Sequence, residues 1–106
     1  MENNKIRTFI GFAIKKRSVR IGTNASNTLK RAELLLVCPT ASENAVKEAL
    51  KLKRKFRCPM IRLSETLESL TGKENAKIMA VTDKPLAKAI LENSPTESIV
   101  EELGDK

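Results

Sequence analysis

Two short, uninterrupted apolar runs constrain the fold of this chain more than any other feature. They are Leu34–Val37 and Ile78–Val81, and both are too short to form an independent helix. Successive side chains of a strand point to opposite faces of its sheet, so a strand that is apolar at every position needs cover on both faces. The two runs therefore predict a sheet that is buried between two layers.

Segments with helical signals separate these runs from two shorter candidate strands. The predicted strands are residues 18–21, 33–38, 60–63 and 77–82. The predicted helices are residues 3–16, Thr23 or Asn24 to about Arg31, Thr40 to Phe56, Ser64 to Leu70, Asp83 through Leu91, and a short helix from Ser94. Strands that alternate with helices are typical of parallel pairing. The element order therefore predicts an α/β fold with a small, largely parallel four-stranded sheet.

Capping signals mark the starts of two of these helices. Thr40 and Glu43 form a Thr-x-x-Glu capping box. Asp83 precedes a helix whose first turn contains Pro85, a position where proline is tolerated. These signals predict that the side chains of Thr40 and Asp83 each accept a hydrogen bond from a free N–H group in the first turn of the helix that follows.

A chain of 106 residues suffices for one domain but not for two. We predict a single domain over residues 1–93, followed over residues 94–106 by a short C-terminal helix and a frayed acidic tail. Ser94 is the predicted N-cap of that helix, which would carry Ile99 and Leu103 on one face. This face either docks a partner or covers the protein's own core, and the sequence leaves both open.

Charge is distributed unevenly along the chain, whose formal net charge is +7. Residues 1–62 contain 15 Lys+Arg and 4 Asp+Glu, whereas residues 63–106 contain 5 and 9. The basic residues form three groups, which are Lys15-Lys16-Arg17 with Arg20, Lys30-Arg31, and Lys51 to Arg57. Such asymmetry favours a positive face that meets a polyanion, although a solvated basic surface gives the same pattern.

Several kinds of chemistry are excluded by residue types that the sequence lacks. The chain has no His, so it has no His-dependent triad and no His metal site. Two cysteines cannot make a four-ligand zinc site. With no Tyr or Trp and only three Phe, the chain has no broad aromatic platform for stacking bases. We therefore expect no enzyme, no cofactor, no metal and no small-molecule substrate.

The sequence shows no membrane-directed segment. No apolar run approaches the ~20 residues that a membrane helix needs, and Met1–Lys5 is polar, unlike the start of a signal peptide. We therefore expect a cytoplasmic protein with no membrane partner.

The two cysteines are predicted to be free, buried thiols. Cys38 ends one predicted strand and Cys58 begins the next. In parallel neighbours these ends lie at opposite edges of the sheet, whereas a disulfide needs Cα atoms within about 7 Å. No nearby His or paired base activates either thiol as a nucleophile.

Four stretches in the order found here resemble a known family. They are Ile10-Gly11-Phe12-Ala13, Gly22-Thr23-Asn24, Leu67 to Lys73, and Met79 to Asp83 followed by Leu86-Ala87-Lys88. They are similar to the superfamily of small ribosomal and kink-turn RNA-binding proteins, whose archaeal type member is large-subunit protein L-seven-Ae. Its bacterial members include the YlxQ-like proteins. The resemblance covers about residues 5–92.

The resemblance implies a three-layer α/β/α sandwich around a mixed sheet. It also implies that the helix start at Gly22-Thr23-Asn24 enters the widened major groove of a kink-turn and meets tandem G·A pairs. The loop near Gly72 would pack against extruded nucleotides. The expected RNA-binding residues are Gly22, Thr23, Asn24, Lys30, Arg31, Leu70, Thr71, Gly72 and Lys73, with Lys15, Lys16, Arg17 and Arg20 holding phosphate. The expected function is thus non-catalytic binding of structured RNA, with the ribosome as a candidate partner.

Simpler explanations and one alternative function remain open at this stage. Gly22 would also serve as a turn glycine, Asn24 as a helix cap, and Lys30-Arg31 as cations at a helix C-terminus. The chain has Ala25, Thr28 and Glu68 where the family has Glu, Lys and Gly. These differences support an alternative, a protein–protein adaptor on the same scaffold that has lost kink-turn specificity.

Overall fold

The computed structural model describes residues 2–22, 28–63, 69, 72, 77–94 and 99–100. This part of the chain forms an α/β fold with three helices and four strands. The elements are α1 (Glu2–Lys15), β1 (Val19–Ile21), β2 (Leu34–Val37), α2 (Glu43–Phe56), β3 (Met60–Arg62), β4 (Ile78–Val81) and α3 (Lys84–Glu92). All four predicted strands are confirmed.

The sheet is mixed and mostly antiparallel, with the strand order β1-β4-β2-β3. Only β2 and β3 are parallel neighbours, and β4 runs antiparallel to both β1 and β2. The prediction of a largely parallel sheet is therefore wrong. The strands β1, β2 and β3 do share one direction, as alternation with helices predicts, but β4 inserts between β1 and β2 and runs the opposite way.

This topology gives the sheet two different edges at the strand ends. The Gly22 edge holds the last residues of β1 to β3 and the first of β4, and is flanked by Gly22, Cys38, Leu63 and Lys77. The Asp83 edge holds the first residues of β1 to β3 and the last of β4, and is flanked by Ser18, Glu33, Pro59 and Asp83. The strands have three or four residues, so at about 3.3 Å per residue the edges lie on the order of 12 Å apart.

Helices cover both faces of the sheet, as the apolar runs predict. Leu34 and Leu36 of β2 pack in one core with α1 and α3. The alternate residues Leu35 and Val37 pack in a second core against α2. All four are 1% exposed or less. Burial of each such side chain stabilises the folded protein by about 1.5–3 kcal/mol, so β2 contributes to the stability of both cores.

The helix starts confirm one predicted cap and correct the other. Asp83 caps α3 by accepting a hydrogen bond from the Leu86 N–H at 2.9 Å. The cap of α2 is Ser42, not Thr40, and its Oγ accepts from the Ala45 N–H at 3.2 Å. Thr40 lies two residues before this cap, and its hydroxyl instead accepts from Lys77 Nζ at 2.9 Å.

The C-terminal segment pairs with the sheet where a helix was predicted. Ile99 forms an antiparallel bridge with Ile61, and the Val100 N–H donates to the Met60 carbonyl at 2.8 Å. Ser94 donates to the Ile90 carbonyl at 2.7 Å at the end of α3. Ile99 is therefore not helical. β-Branched residues favour extended backbone, and β3 would otherwise present an unpaired outer edge. The other residues of this predicted helix lie outside the described ranges.

Two further predicted helices are described only in part. Of the helix predicted from Thr23 or Asn24 to about Arg31, residues 23–27 lie outside the described ranges. Residues 28–31 form a turn and irregular backbone, so no helix reaches Arg31. Of the helix predicted over residues 64–70, only Ser69 is described. None of the described helices is both long and apolar enough to cross a membrane.

Candidate nucleic-acid interface

Gly22 ends β1 in a backbone conformation that favours glycine. Its φ is +96°, in the left-handed region that residues with a Cβ rarely adopt. Its N–H donates to the Ile78 carbonyl at 2.8 Å, which fixes it beside the first residue of β4. A Cβ at Gly22 would meet no atom within 4 Å. Backbone conformation, and not crowding, therefore accounts for glycine here.

The loop predicted to contact RNA returns to the sheet next to Gly22. Residues 64–76 connect Leu63 to Lys77, and both flank the Gly22 edge. Within this loop Gly72 is exposed and has a φ of +77°. Since β1 and β4 are neighbours, the chain that enters β4 lies beside the chain that leaves β1. The fold thus brings two of the stretches that carried the family resemblance to one edge.

Two cations at this edge were missed by sequence reasoning. Lys77 contacts the Thr40 hydroxyl, and Arg62 Nη2 donates to the Pro39 carbonyl at 3.2 Å. Arg62 is the last residue of β3, and Lys77 directly precedes β4. A cation at the end of an apolar strand is the sequence signal that could have identified both residues. They add positive charge to this edge, with Lys77 beside Gly22 at the start of β4 and Arg62 on the outer strand β3.

An open depression adjoins these cations. Its volume is about 420 Å³, and it is lined by Ala41, Glu43, Val46, Lys47 and Arg62. The lining has two cations and one carboxylate. It is a shallow surface feature and extends the Gly22 edge toward the first turn of α2.

The basic group at residues 15–17 lies at the other edge of the sheet. The 14 residues of α1 carry the chain to the Asp83 edge, where the Thr82 N–H donates to the Ser18 carbonyl at 2.7 Å. Lys16 forms an ion pair with Asp83. The structure therefore does not bring Lys15, Lys16 and Arg17 together with Gly22.

Lys30 and Arg31 also lie at the Asp83 edge. They lead into β2, where Glu33 accepts from Arg31 Nη2 at 3.2 Å and donates its N–H to the Val81 carbonyl at 2.8 Å. Both basic side chains are exposed. Neither residue lies in one of the described helices.

The remaining predicted site residues are either on β1 or outside the described ranges. Arg20 is exposed in the middle of β1, and its Nη1 donates to the Val19 carbonyl at 3.0 Å. The predicted contacts outside the described ranges are Thr23, Asn24, Leu70, Thr71 and Lys73. Among the described residues, Gly22 directly precedes Thr23 and Asn24, and Gly72 lies between Thr71 and Lys73 in sequence.

Asp83 is held in its charged form by its two partners. Hydrogen bonding from Lys16, and then from the Leu86 N–H, lowers the pKa of the Asp83 carboxyl. A lowered folded-state pKa gives stabilisation that is fully present above the unfolded value of about 3.9 and is lost as the pH falls through the folded pKa.

The pH dependence of Asp83→Asn should report this stabilisation. Asn also caps helices well, so the substitution mainly removes the charge. We expect the wild type to exceed Asp83→Asn in the free energy of unfolding above about pH 5, with a difference that shrinks below about pH 4. Urea unfolding of both proteins, above pH 5 and below pH 4, measures this difference in the free energy of unfolding. A difference that is independent of pH would contradict the proposed ion pair.

The two cysteines are free and buried, as predicted, and the structure places them in different cores. Cys38 packs in the core beneath α1 and α3, and Cys58 packs in the core beneath α2. Burial raises the pKa of the Cys58 thiol to about 11, with Glu33 adding to the rise and Lys53 opposing it. The thiol is therefore neutral near pH 7.

Thiol labelling should be strongly protected in the folded protein. At pH 8, Cys58 has about 100-fold less thiolate than an ordinary cysteine, before its burial is considered. We expect labelling by a chromogenic disulfide reagent to be at least about 100-fold slower in the folded than in the urea-unfolded protein. Fast labelling without denaturant would show that the cores open locally.

Among the described residues, no group of three or more Cys, Asp or Glu is placed to bind a metal.

Comparison with known proteins establishes the fold alone. No family model matches the chain, and no curated protein matches it. Among solved structures, the fold is similar to that of a protein of unknown function from Bacillus halodurans, with a TM-score of 0.71 and 17% sequence identity. The alignment covers 84% of this chain and 95% of that chain.

Proposed function

We propose that this protein is a non-catalytic RNA-binding protein of the kink-turn type that recognises structured RNA through its Gly22 edge. One observation carries the proposal. Gly22 and the strand entered from the loop at residues 64–76 lie side by side, joined by the hydrogen bond from Gly22 to Ile78. Two separate stretches with family resemblance therefore adjoin one surface.

The chemistry of this edge suits a bent RNA. Sequence-specific contacts to RNA need unstacked or widened sites that small side chains and backbone groups enter. Gly22 directs the chain out of the sheet without a side chain, and Gly72 does the same within the loop. Lys77 and Arg62 place positive charge where the phosphate backbone would pass.

We further propose that the fold is the three-layer α/β/α sandwich of the L-seven-Ae superfamily, with this chain as a YlxQ-like member. Helices on both faces of a mixed four-stranded sheet support this assignment. Ribosomal RNA is then a natural partner class, and a cytoplasmic location follows from it. The differences at Ala25, Thr28 and Glu68 fall within, or a few positions from, the sequence stretches that carry the family resemblance.

The adaptor alternative has less support once the positions of the described C-terminal residues are considered than it has from the sequence alone. It rested on the differences from the family at Ala25, Thr28 and Glu68, and the apolar face that carries Ile99 was its candidate docking surface. Ile99 packs against the core beneath α1 and α3, and Val100 packs against the core beneath α2. Both described residues of this segment therefore cover the protein's own sheet.

Neutralising the cations of the Gly22 edge should reduce discrimination between RNA shapes. In Arg62→Gln/Lys77→Gln, each new side chain keeps a donor but loses its charge. We expect the ratio of kink-turn affinity to straight-duplex affinity to fall about 30-fold, as two charge-assisted contacts of roughly 1 kcal/mol each are lost.

The matched control is Lys51→Gln/Lys88→Gln, which removes two exposed charges from α2 and α3, away from both edges of the sheet. It should leave the affinity ratio unchanged even where it weakens binding to both RNAs. An equal loss of discrimination in both double variants would remove the Gly22 edge from the proposal. Fluorescence anisotropy with both labelled RNAs gives the ratios.

A further inference from the structure

Except for Arg20 and Lys51, the fold brings the three basic groups of the sequence to one edge of the sheet. α1 and α2 both end at the Asp83 edge, and the chain that enters β2 passes along the same edge. The cations there are Lys15, Lys16, Arg17, Lys30, Arg31, Lys53, Arg54, Lys55, Arg57 and Lys84. The four strand positions, spaced about 4.8 Å apart, distribute them over roughly 14 Å, before side-chain length is added.

The described part of this edge contains ten cations and two carboxylates. The carboxylates are Glu33, which pairs with Arg31, and Asp83, which pairs with Lys16. Concentrated charge of one sign is costly unless a partner of opposite charge meets it, and a nucleic-acid backbone is such a partner.

Two of these cations occupy positions where glycine would suit the backbone better. Arg17 and Arg57 directly follow the last turns of α1 and α2, with φ values of +59° and +55°. Both helices close with a hydrogen bond from the residue after the left-handed position, with the Ser18 N–H donating to the Ala13 carbonyl and the Cys58 N–H donating to the Lys53 carbonyl. Glycine is the residue of least strain at such a left-handed position. Both arginines are exposed, so packing does not account for them.

A local explanation exists for part of this charge. Cations near a helix C-terminus interact favourably with the helix dipole, and α1 and α2 both end here. That explanation concerns the cations at the ends of α1 and α2, and Lys30 and Arg31 belong to neither helix. It also predicts that removing Arg17 and Arg57 lowers stability and leaves nucleic-acid binding unchanged.

We propose that the Asp83 edge is a second nucleic-acid surface, which binds the phosphate backbone of a helical RNA segment independently of the Gly22 edge. The inference rests on the proposed function for the class of ligand only. The two surfaces lie at opposite ends of the strands, so one protein holds a recognised RNA bend at one end and a second helical segment at the other. The protein thus connects two RNA elements.

The double variant Arg17→Gly/Arg57→Gly separates this proposal from the dipole explanation. Binding of a straight RNA duplex is measured against salt concentration. The slope of log affinity against log salt should become shallower by about 1.8, because each lost phosphate contact accounts for roughly 0.9. The melting temperature should be unchanged or higher, since glycine relieves the left-handed positions.

The matched control is Lys5→Gln/Lys51→Gln, which removes two exposed cations that lie away from the Asp83 edge. Its salt slope should stay at the wild-type value. An unchanged slope in Arg17→Gly/Arg57→Gly, or an equal change in the control, would overturn the proposal. So would an affinity for an acidic polypeptide that exceeds the affinity for duplex RNA.

A ternary-complex assay tests whether the two surfaces act independently. Protein bound to a kink-turn RNA should capture a second, labelled straight duplex, and Arg17→Gly/Arg57→Gly should lose this capture while keeping its kink-turn affinity. Mutually exclusive binding of the two RNAs would refute a second surface. If kink-turn preference is absent but duplex binding still depends on Arg17 and Arg57, the proposed function fails and this inference stands.

Discussion

Replacing Leu35 and Leu36 one at a time with alanine should destabilise the protein by similar, large amounts. Each substitution is expected to lower the free energy of unfolding by about 3–5 kcal/mol, the usual range for Leu→Ala in a closed core. Leu35 faces the core beneath α2, and Leu36 faces the core beneath α1 and α3. Both are 0% exposed. Alanine substitutions at adjacent strand positions lower the free energy of unfolding equally only where both faces of the sheet are covered.

Leu50→Ala on α2 is the control, because this side chain is only partly buried. It should cost about 1 kcal/mol, in proportion to the smaller area that it removes from water. Chemical unfolding followed by circular dichroism provides the three values. A near-neutral result at Leu35 or Leu36 would contradict the two-core arrangement.

Truncation after Ser94 should have the second-largest effect on stability. It removes the Ile99 bridge to Ile61 and the hydrogen bond from Val100 to Met60. Loss of two half-buried β-branched side chains and their backbone pairing should lower the free energy of unfolding by about 2–4 kcal/mol. It also leaves β3 with an unpaired outer edge, so we expect concentration-dependent self-association.

Val100→Pro in the full chain tests the same contact without a deletion. Proline lacks the N–H that donates to Met60, whereas Val100→Ala keeps it. The proline variant should therefore be less stable than the alanine variant by about 1–2 kcal/mol. Thermal unfolding measures stability, and sedimentation measures self-association. A truncated chain that stays monomeric and as stable as the wild type would show that residues 99–100 contribute little.

Local patterns in the sequence predict the elements of this fold but not the direction of every strand. The apolar runs at Leu34–Val37 and Ile78–Val81 identify the central strands because complete burial requires apolar side chains on both faces. The direction of β4 depends on where residues 64–76 deliver the chain. Hydrophobic periodicity contains no information about that, so alternation with helices gave the wrong pairing.

Signals of local propensity fail where a distant contact decides the outcome. Ser94 with Pro95 and Glu97 has the pattern of a helix start. Ile99 nevertheless pairs with Ile61, because the open edge of β3 offers hydrogen bonds and apolar cover that lie 38 positions away in sequence. Thr40 matches a capping box, yet Ser42 is better placed to reach the first free N–H groups of α2.

Several residues of the candidate site could be identified from the sequence, but their positions relative to one another could not. Gly22 and the loop containing Gly72 were identified through family resemblance, and the sheet explains why they adjoin. Lys15 to Arg17 were expected on the same surface, but α1 carries them to the opposite edge. Only the positions of the helices reveal that the basic groups converge there, away from Gly22.

The most direct test of the proposed function is a titration of the protein with a standard kink-turn RNA and a matched straight duplex. Both are measured at about 50 and 200 mM salt, since purely ionic binding weakens sharply over this range. We expect a preference for the kink-turn that persists at the higher salt and falls on Asn24→Ala. Equal, salt-sensitive binding to both RNAs, or no binding to either, would contradict kink-turn recognition by this protein.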